Sequence, residues 1–85
     1  MVSSSVTIQH ANGVHARPAS ILVREAGKFQ SNVTLSCNGS SVNGKSIMGL
    51  LMLALGPGSV VVVETDGPDE VEALEKITAV LSGNF

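Results

Sequence analysis

The chain has 85 residues, 44% of them apolar, enough for one small domain in which a single layer of helices covers a single sheet. A formal net charge of −2 and only two aromatic residues, Phe29 and Phe85, argue against nucleic-acid partners. Duplex DNA asks for a basic surface, and single strands ask for aromatic stacking platforms. The longest mostly apolar stretch, residues 47–55, is about half a membrane span, so no membrane insertion is expected.

In chain order, Val6 and Ile8 alternate with polar neighbours and predict a strand over about residues 4–9, closed by the turn signal Asn12-Gly13. Ala19, Leu22, Val23 and Ala26 then recur at helical spacing, with Pro18 suited to a first turn, so a helix is predicted from Ala16 to about Gly27. Val33, Leu35 and Cys37 alternate with Thr34 and Ser36 as a second strand. Asn38-Gly39 is a type I′ hairpin signal, and Ser41-Val42-Asn43 reads as the return strand. Ser46 can cap a short helix over about 47–54, which Gly56-Pro57-Gly58 ends. The β-branched run Val60 to Val63 predicts an inner strand. Gly67-Pro68, with Asp69, Glu70 and Glu72, opens a last helix striped by Ala73, Leu74, Ile77, Val80 and Leu81. The order βαββαβα, with one explicit hairpin and no repeat or linker, predicts a single α+β domain over residues 1–85, an antiparallel sheet with all helices on one face.

Three constellations could carry chemistry. The first is Asn12-Gly13-Val14-His15-Ala16-Arg17-Pro18-Ala19. A histidine just before a helix start is ill placed as a cation, because the helix dipole and open N–H groups there favour anions. A phosphoryl group on the imidazole reverses that logic, since its charge of roughly −2 meets backbone donors and the Arg17 guanidinium. The bland alternative is a loop histidine that packs at a turn. The second constellation, Gly39-Ser40-Ser41-Val42-Asn43-Gly44-Lys45-Ser46, fits GxxxxGK[ST], with Val60 to Glu64 as a strand ending in an acid. It reads either as a phosphate-cradling loop or as a hairpin with its return strand; Asn38-Gly39 and the short chain favour the hairpin. The third is Lys45 to Leu55, in which Ile47, Leu50, Leu51 and Ala54 make one apolar stripe and Met48, Met52 and Leu55 another. A short helix cannot bury apolar residues all round against one sheet. Part of this surface is therefore expected to stay exposed as a docking patch, the alternative being that both stripes are core.

Charge is unevenly distributed along the chain. Residues 1–45 carry Arg17, Arg24, Lys28 and Lys45 against Glu25, a net +3, whereas the remainder sets Lys76 against six acids, a net −5. That asymmetry suggests a face for an anionic partner, with solvated faces of unrelated elements as the alternative. The single Cys37 cannot form an internal disulfide, and with no basic or apolar leader at Met1-Val2-Ser3-Ser4-Ser5 a cytoplasmic location is expected. No Cys/His cluster has metal-ligand spacing, His10 has no such partner, and neither metal nor cofactor is expected.

Two motifs, Gly13-Val14-His15-Ala16-Arg17-Pro18-Ala19 and Lys45-Ser46-Ile47-Met48-Gly49-Leu50, make the chain resemble the HPr family, the histidine-containing phosphocarriers of the bacterial phosphoenolpyruvate-dependent sugar phosphotransferase system. The resemblance runs from Val6 to Leu81 and implies an open-faced β-sandwich of four antiparallel strands and three helices. It implies a phosphocarrier rather than an enzyme. His15 would take a phosphoryl group on Nδ1 from phospho-enzyme I and pass it to a histidine of a sugar-specific IIA domain. Arg17 would pair with that group, Ala16 and Arg17 would offer backbone N–H groups, and Asn12 and Pro18 would complete the phosphate-binding set. Ser46 would be a regulatory site for an HPr kinase/phosphorylase, with a transcriptional regulator as a further partner. Arg24, Lys28, Lys45, Ile47, Met48, Leu51 and Leu55 would form the partner-binding face. Gly44 stands where larger residues are common in the family, and it is expected to loosen the turn before Ser46. Two other classes of function stay open: a regulatory module acting through the Ser46 face, and a miniature nucleotidase built on the GxxxxGK[ST] segment.

Overall fold

Alternation along four strands decides the architecture. The computed structural model describes residues 1–8, 16–53, 56 and 58–82, the side chains of 16–18 excepted. Its elements are β1 (Val2–Thr7), α1 (Ala16–Ala26), β2 (Asn32–Cys37), β3 (Ser40–Asn43), α2 (Ile47–Leu53), β4 (Val60–Asp66) and α3 (Glu70–Ser82). The strands form one antiparallel sheet in the order β1-β4-β2-β3.

The register explains which side chains share a face. Ser4, Val63, Leu35 and Val42 lie in one cross-strand row, and Val2, Thr65 and Val33 in the next. Val6, Val33, Leu35, Val61 and Val63 are buried on that face, beneath the helices. The opposite rows, Ser3-Glu64-Thr34-Asn43 and Ser5-Val62-Ser36-Ser41, are mostly hydroxyl-bearing and lie open. An antiparallel sheet tolerates one solvated face because its short connections need not cross it.

The helices close the other side with their apolar stripes. Ala19, Leu22 and Ala26 of α1 and Ala73, Ile77 and Leu81 of α3 are fully buried, and α2 contributes Leu50. The residues between them, Val23, Leu53, Leu74 and Val80, pack partly buried around that core. The α+β reading with its βαββαβα order and open face therefore holds.

Several boundaries differ for physical reasons. β1 begins at Val2, ahead of the expected residue 4, because its serines pair with β4 rather than alternate with apolar residues. Ile8 extends that edge through hydrogen bonds exchanged with Ser59 and Gly58. β4 runs on to Asp66 because Thr65 occupies a buried position, where its hydroxyl donates to the Glu70 carbonyl at 2.7 Å. The Asn38-Gly39 turn has φ of 53° and 83°, the positive pair that a two-residue type I′ hairpin requires.

Candidate functional site

Helix α1 opens at Ala16, the residue that follows His15 in sequence, and its first-turn amides have no intrahelical acceptors. Burial of Ala19, Leu22 and Ala26 fixes this helix on the core. Asn12 and His15 lie outside the described residues, as do His10 and the side chains of Ala16, Arg17 and Pro18.

The second region is the turn leading into α2. The Lys45 amide donates to Asn43 Oδ1 at 2.9 Å, the Ser46 amide to the Asn43 carbonyl at 3.0 Å, and the Gly44 amide to the Val33 carbonyl at 2.7 Å. Ser46 is the N-cap of α2, its Oγ accepting from the Gly49 amide at 3.2 Å. Gly44 does not loosen this turn. It is buried, and a Cβ there would lie 2.5 Å from Val33 Cγ1. The glycine is what allows the turn to press against β2.

Strand β3 decides between the two readings of the GxxxxGK[ST] segment. Ser40 to Asn43 pair with Cys37 to Thr34, so half the segment is a return strand and not a loop around phosphate. The Lys45 ammonium donates to the Phe29 carbonyl at 2.9 Å, just beyond the C-terminus of α1. Lys45, expected on the partner-binding face, is half-buried in this position, with its ammonium engaged by that carbonyl.

The α2 surface divides as a short helix against one sheet must. Leu50 is fully buried, while Ile47, Met48, Leu51 and Met52 are 39%, 68%, 37% and 79% exposed. Ile47, Met48 and Leu51 are thus on the surface, and Met52, left out of the expected docking set, is the most exposed of the four. Leu55 and Ala54 lie outside the described residues. Arg24 is exposed in the last turn of α1. Lys28 is also exposed, but its ammonium is 3.2 Å from Glu25, whose other oxygen is 3.9 Å from Lys76.

A polar interlock that sequence reasoning missed ties the far end of the domain together. Asp69 accepts from the Gln30 amide at 3.0 Å, the Ser31 amide at 2.9 Å and the Ser31 hydroxyl. These bonds, the Ser31 hydroxyl foremost and then the Gln30 amide, hold the Asp69 carboxyl below the usual carboxylate range. A Cβ on Gly67 would fall 2.6 Å from both Ser31 Cα and Oγ, so only glycine lets the turn before α3 seat on buried Ser31. The one sequence signal was Gly67-Pro68-Asp69, which marked a helix start but gave no hint of contact with residues 30 and 31. No group of three or more possible metal-ligating side chains occurs among the described residues.

A family model described as "PTS HPr component phosphorylation site" matches residues 2–82. The chain belongs to the HPr family. It is 47% identical to the phosphocarrier protein HPr of Cupriavidus necator, over all of this chain and 96% of that relative. It is 44% identical to the HPr-like protein Crh of Halalkalibacterium halodurans, over 93% of this chain and 94% of the relative. The crystal structure of HPr from Bacillus anthracis superimposes with a TM-score of 0.91 at 41% identity, covering 94% of this chain and 95% of that one. Members of the HPr family are phosphocarriers and not enzymes, and the four-stranded sheet with three helices is their fold. Among the described residues, no helix is long and apolar enough to cross a membrane.

Proposed function

We propose that this HPr-family chain carries a phosphoryl group on His15, taking it from phospho-enzyme I and giving it to IIA domains. In each step a P–N bond to one imidazole breaks as another forms, so the carrier returns to its starting state. The observation that best supports this reading is the start of α1 at Ala16, immediately after His15 in sequence. The amides of Ala16 and Arg17 then belong to a first turn with open donors, and the Arg17 guanidinium would pair with the phosphoryl oxygens. Asn12 would add a polar partner, and Pro18 starts the helix without an N–H to satisfy. A stabilisation of about 0.3–2 kcal/mol from such a helix end suits a group that must be released again. The α2 face with Ile47, Met48 and Leu51, together with the exposed Arg24 of α1, is the surface on which this reading docks the partner proteins. The test is incubation with enzyme I and radiolabelled phosphoenolpyruvate. The unaltered chain should gain an acid-labile, base-stable label that His15→Ala lacks. Label persisting in His15→Ala would move the site elsewhere.

Ser46 belongs to the same reading as a regulatory acceptor for a serine kinase. Its N-cap geometry supports this, because a phosphate there would meet helix-end donors and leave the fold intact. Added negative charge would instead repel an acidic donor enzyme. Ser46→Asp should therefore fold normally and accept phosphoryl groups from enzyme I more slowly, and unchanged kinetics would refute the regulatory role. A second reading, a regulatory module acting through the Ser46 face, draws support from the similarity to Crh, whose solution structure is named as the Bacillus subtilis catabolite repression HPr. Rapid, complete phosphotransfer through His15 would favour the carrier over this alternative.

A further inference from the structure

We propose that Met48 and Met52 form an oxidant-sensitive site on the docking face, through which hydroperoxides reversibly slow phosphotransfer; the role given to that face rests on the reading above. The two methionines are 68% and 79% exposed and stand four residues apart on α2, so they lie side by side on its outer surface. The core-facing side of the same helix is held by Leu50, which is fully buried, and by Leu53. Chemistry at the two sulfurs therefore alters the surface and leaves the packing intact.

Thioethers at this exposure meet dissolved oxidant without any opening of the fold. In the reaction the sulfur attacks the terminal oxygen of a hydroperoxide, the O–O bond breaks, an S–O bond forms, and water or an alcohol leaves. The reverse reaction consumes two thiols and yields methionine, a disulfide and water, as thiol-dependent methionine sulfoxide reductases do. A sulfoxide replaces a soft apolar contact with a strong hydrogen-bond acceptor. Two such groups beside Ile47 and Leu51 turn the two most exposed apolar side chains of α2 polar. Cys37, the chain's one thiol, is 8% exposed, so the thioethers meet oxidant first.

The experiment treats the purified protein with hydrogen peroxide until peptide mass spectrometry shows sulfoxide at both positions. Phosphoryl acceptance from enzyme I is then measured at subsaturating donor. The expected outcome is an unchanged thermal melt and a roughly tenfold slower transfer, the change that about 1.4 kcal/mol of lost apolar contact produces. Reductase treatment should restore the rate. In the Met48→Leu/Met52→Leu protein, peroxide should leave the rate equal to that of its own untreated sample. Full oxidation without slowing would overturn the proposal, as would equal slowing in the double variant, which would point to Met1 or Cys37. Failure of the untreated protein to accept any label would instead overturn the carrier reading, and the docking role with it.

Discussion

The turn before Ser46 gives the most quantitative test of the packing. Gly44→Ala would place a methyl 2.5 Å from Val33 Cγ1, 3.1 Å from Val33 Cβ and 3.3 Å from the Val33 carbonyl oxygen. Ordinary carbon contacts lie at about 3.5–4.0 Å, so about 1 Å of overlap must be relieved. Val33 cannot move aside cheaply, because it is 2% exposed on a strand hydrogen-bonded on both edges. Gly44 cannot retreat without stretching the 2.7 Å bond from its amide to Val33. Overpacking of this kind costs about 1–3 kcal/mol. At about 4–8 °C per kcal/mol for a domain of this size, the melting temperature should fall by about 4–24 °C.

The cause is isolated by repeating the substitution in a Val33→Ala background. That change alone should cost about 1.5–3 kcal/mol of lost apolar burial. It also removes the γ-methyl that the new methyl strikes. Gly44 is not among the glycines with positive φ, so alanine meets no backbone penalty there and should gain about 0.4–1 kcal/mol by restricting the unfolded chain. In this background only the 3.1 Å and 3.3 Å contacts to the Cβ and carbonyl oxygen of residue 33 remain, so Gly44→Ala should cost clearly less than in the unaltered chain. The double-mutant cycle, read from urea melts at pH 7, should then show a favourable coupling of about 0.5–3 kcal/mol. Equal penalties in the two backgrounds would refute the steric account, and so would an unchanged melt for Gly44→Ala alone.

Ser46→Ala removes the acceptor for the Gly49 amide and should cost about 1 kcal/mol, whereas Ser46→Asp keeps an acceptor and should cost less; calorimetry separates them. Lys45→Met deletes the ammonium bond to the Phe29 carbonyl and should destabilise by roughly 1 kcal/mol, with no nucleotide affinity to lose in equilibrium dialysis against ATP. Thr65→Val keeps the shape of a buried position but strips the bond to the Glu70 carbonyl, so a loss of about 1 kcal/mol is expected in the same melts. Because folding lowers the Asp69 pKa, its contribution is complete above the ordinary value near 3.8 and drains away as pH falls through the lower folded-state value. Urea midpoints of the unaltered chain should therefore fall more steeply below pH 4 than those of Asp69→Ala, and parallel curves would exclude the carboxylate as the cause.

The parts of this fold that were legible in the sequence are those set by short-range periodicity. Leu22 and Ala26, or Ile77 and Leu81, announce a buried helical stripe because the residues themselves are apolar at the right spacing. Asn38-Gly39 announces its turn because few other pairs accept two positive φ angles in succession. β1 was less legible. Three of its six residues are serines, and only the β4 backbone opposite tells Ser4 from Ser5. The His15 and Ser46 motifs stand in the sequence as candidates for chemistry, because a histidine that precedes a helix in sequence is unusual and a serine that caps one is useful, each for stated electrostatic reasons.

What escaped the sequence shares one property: polar groups satisfied by partners far along the chain. Asp69 read as a helix-start acid, a role fulfilled within one turn, yet its carboxylate is spent on residues 38 and 39 positions away. Lys45 read as a basic residue of the partner-binding face, with no sign that its ammonium reaches a carbonyl 16 residues back. Composition records that such groups exist, but a buried donor or acceptor needs only some partner, and periodicity carries no information about which one. The glycines mark the same contacts from the other side. Gly44 against Val33 and Gly67 against Ser31 are places where backbone approaches a distant element too closely for a Cβ. In a chain this short, a glycine two positions before a helix cap and another just before an acid should therefore be read as a sign of long-range contact, and the polar residue beside each as the group that holds it.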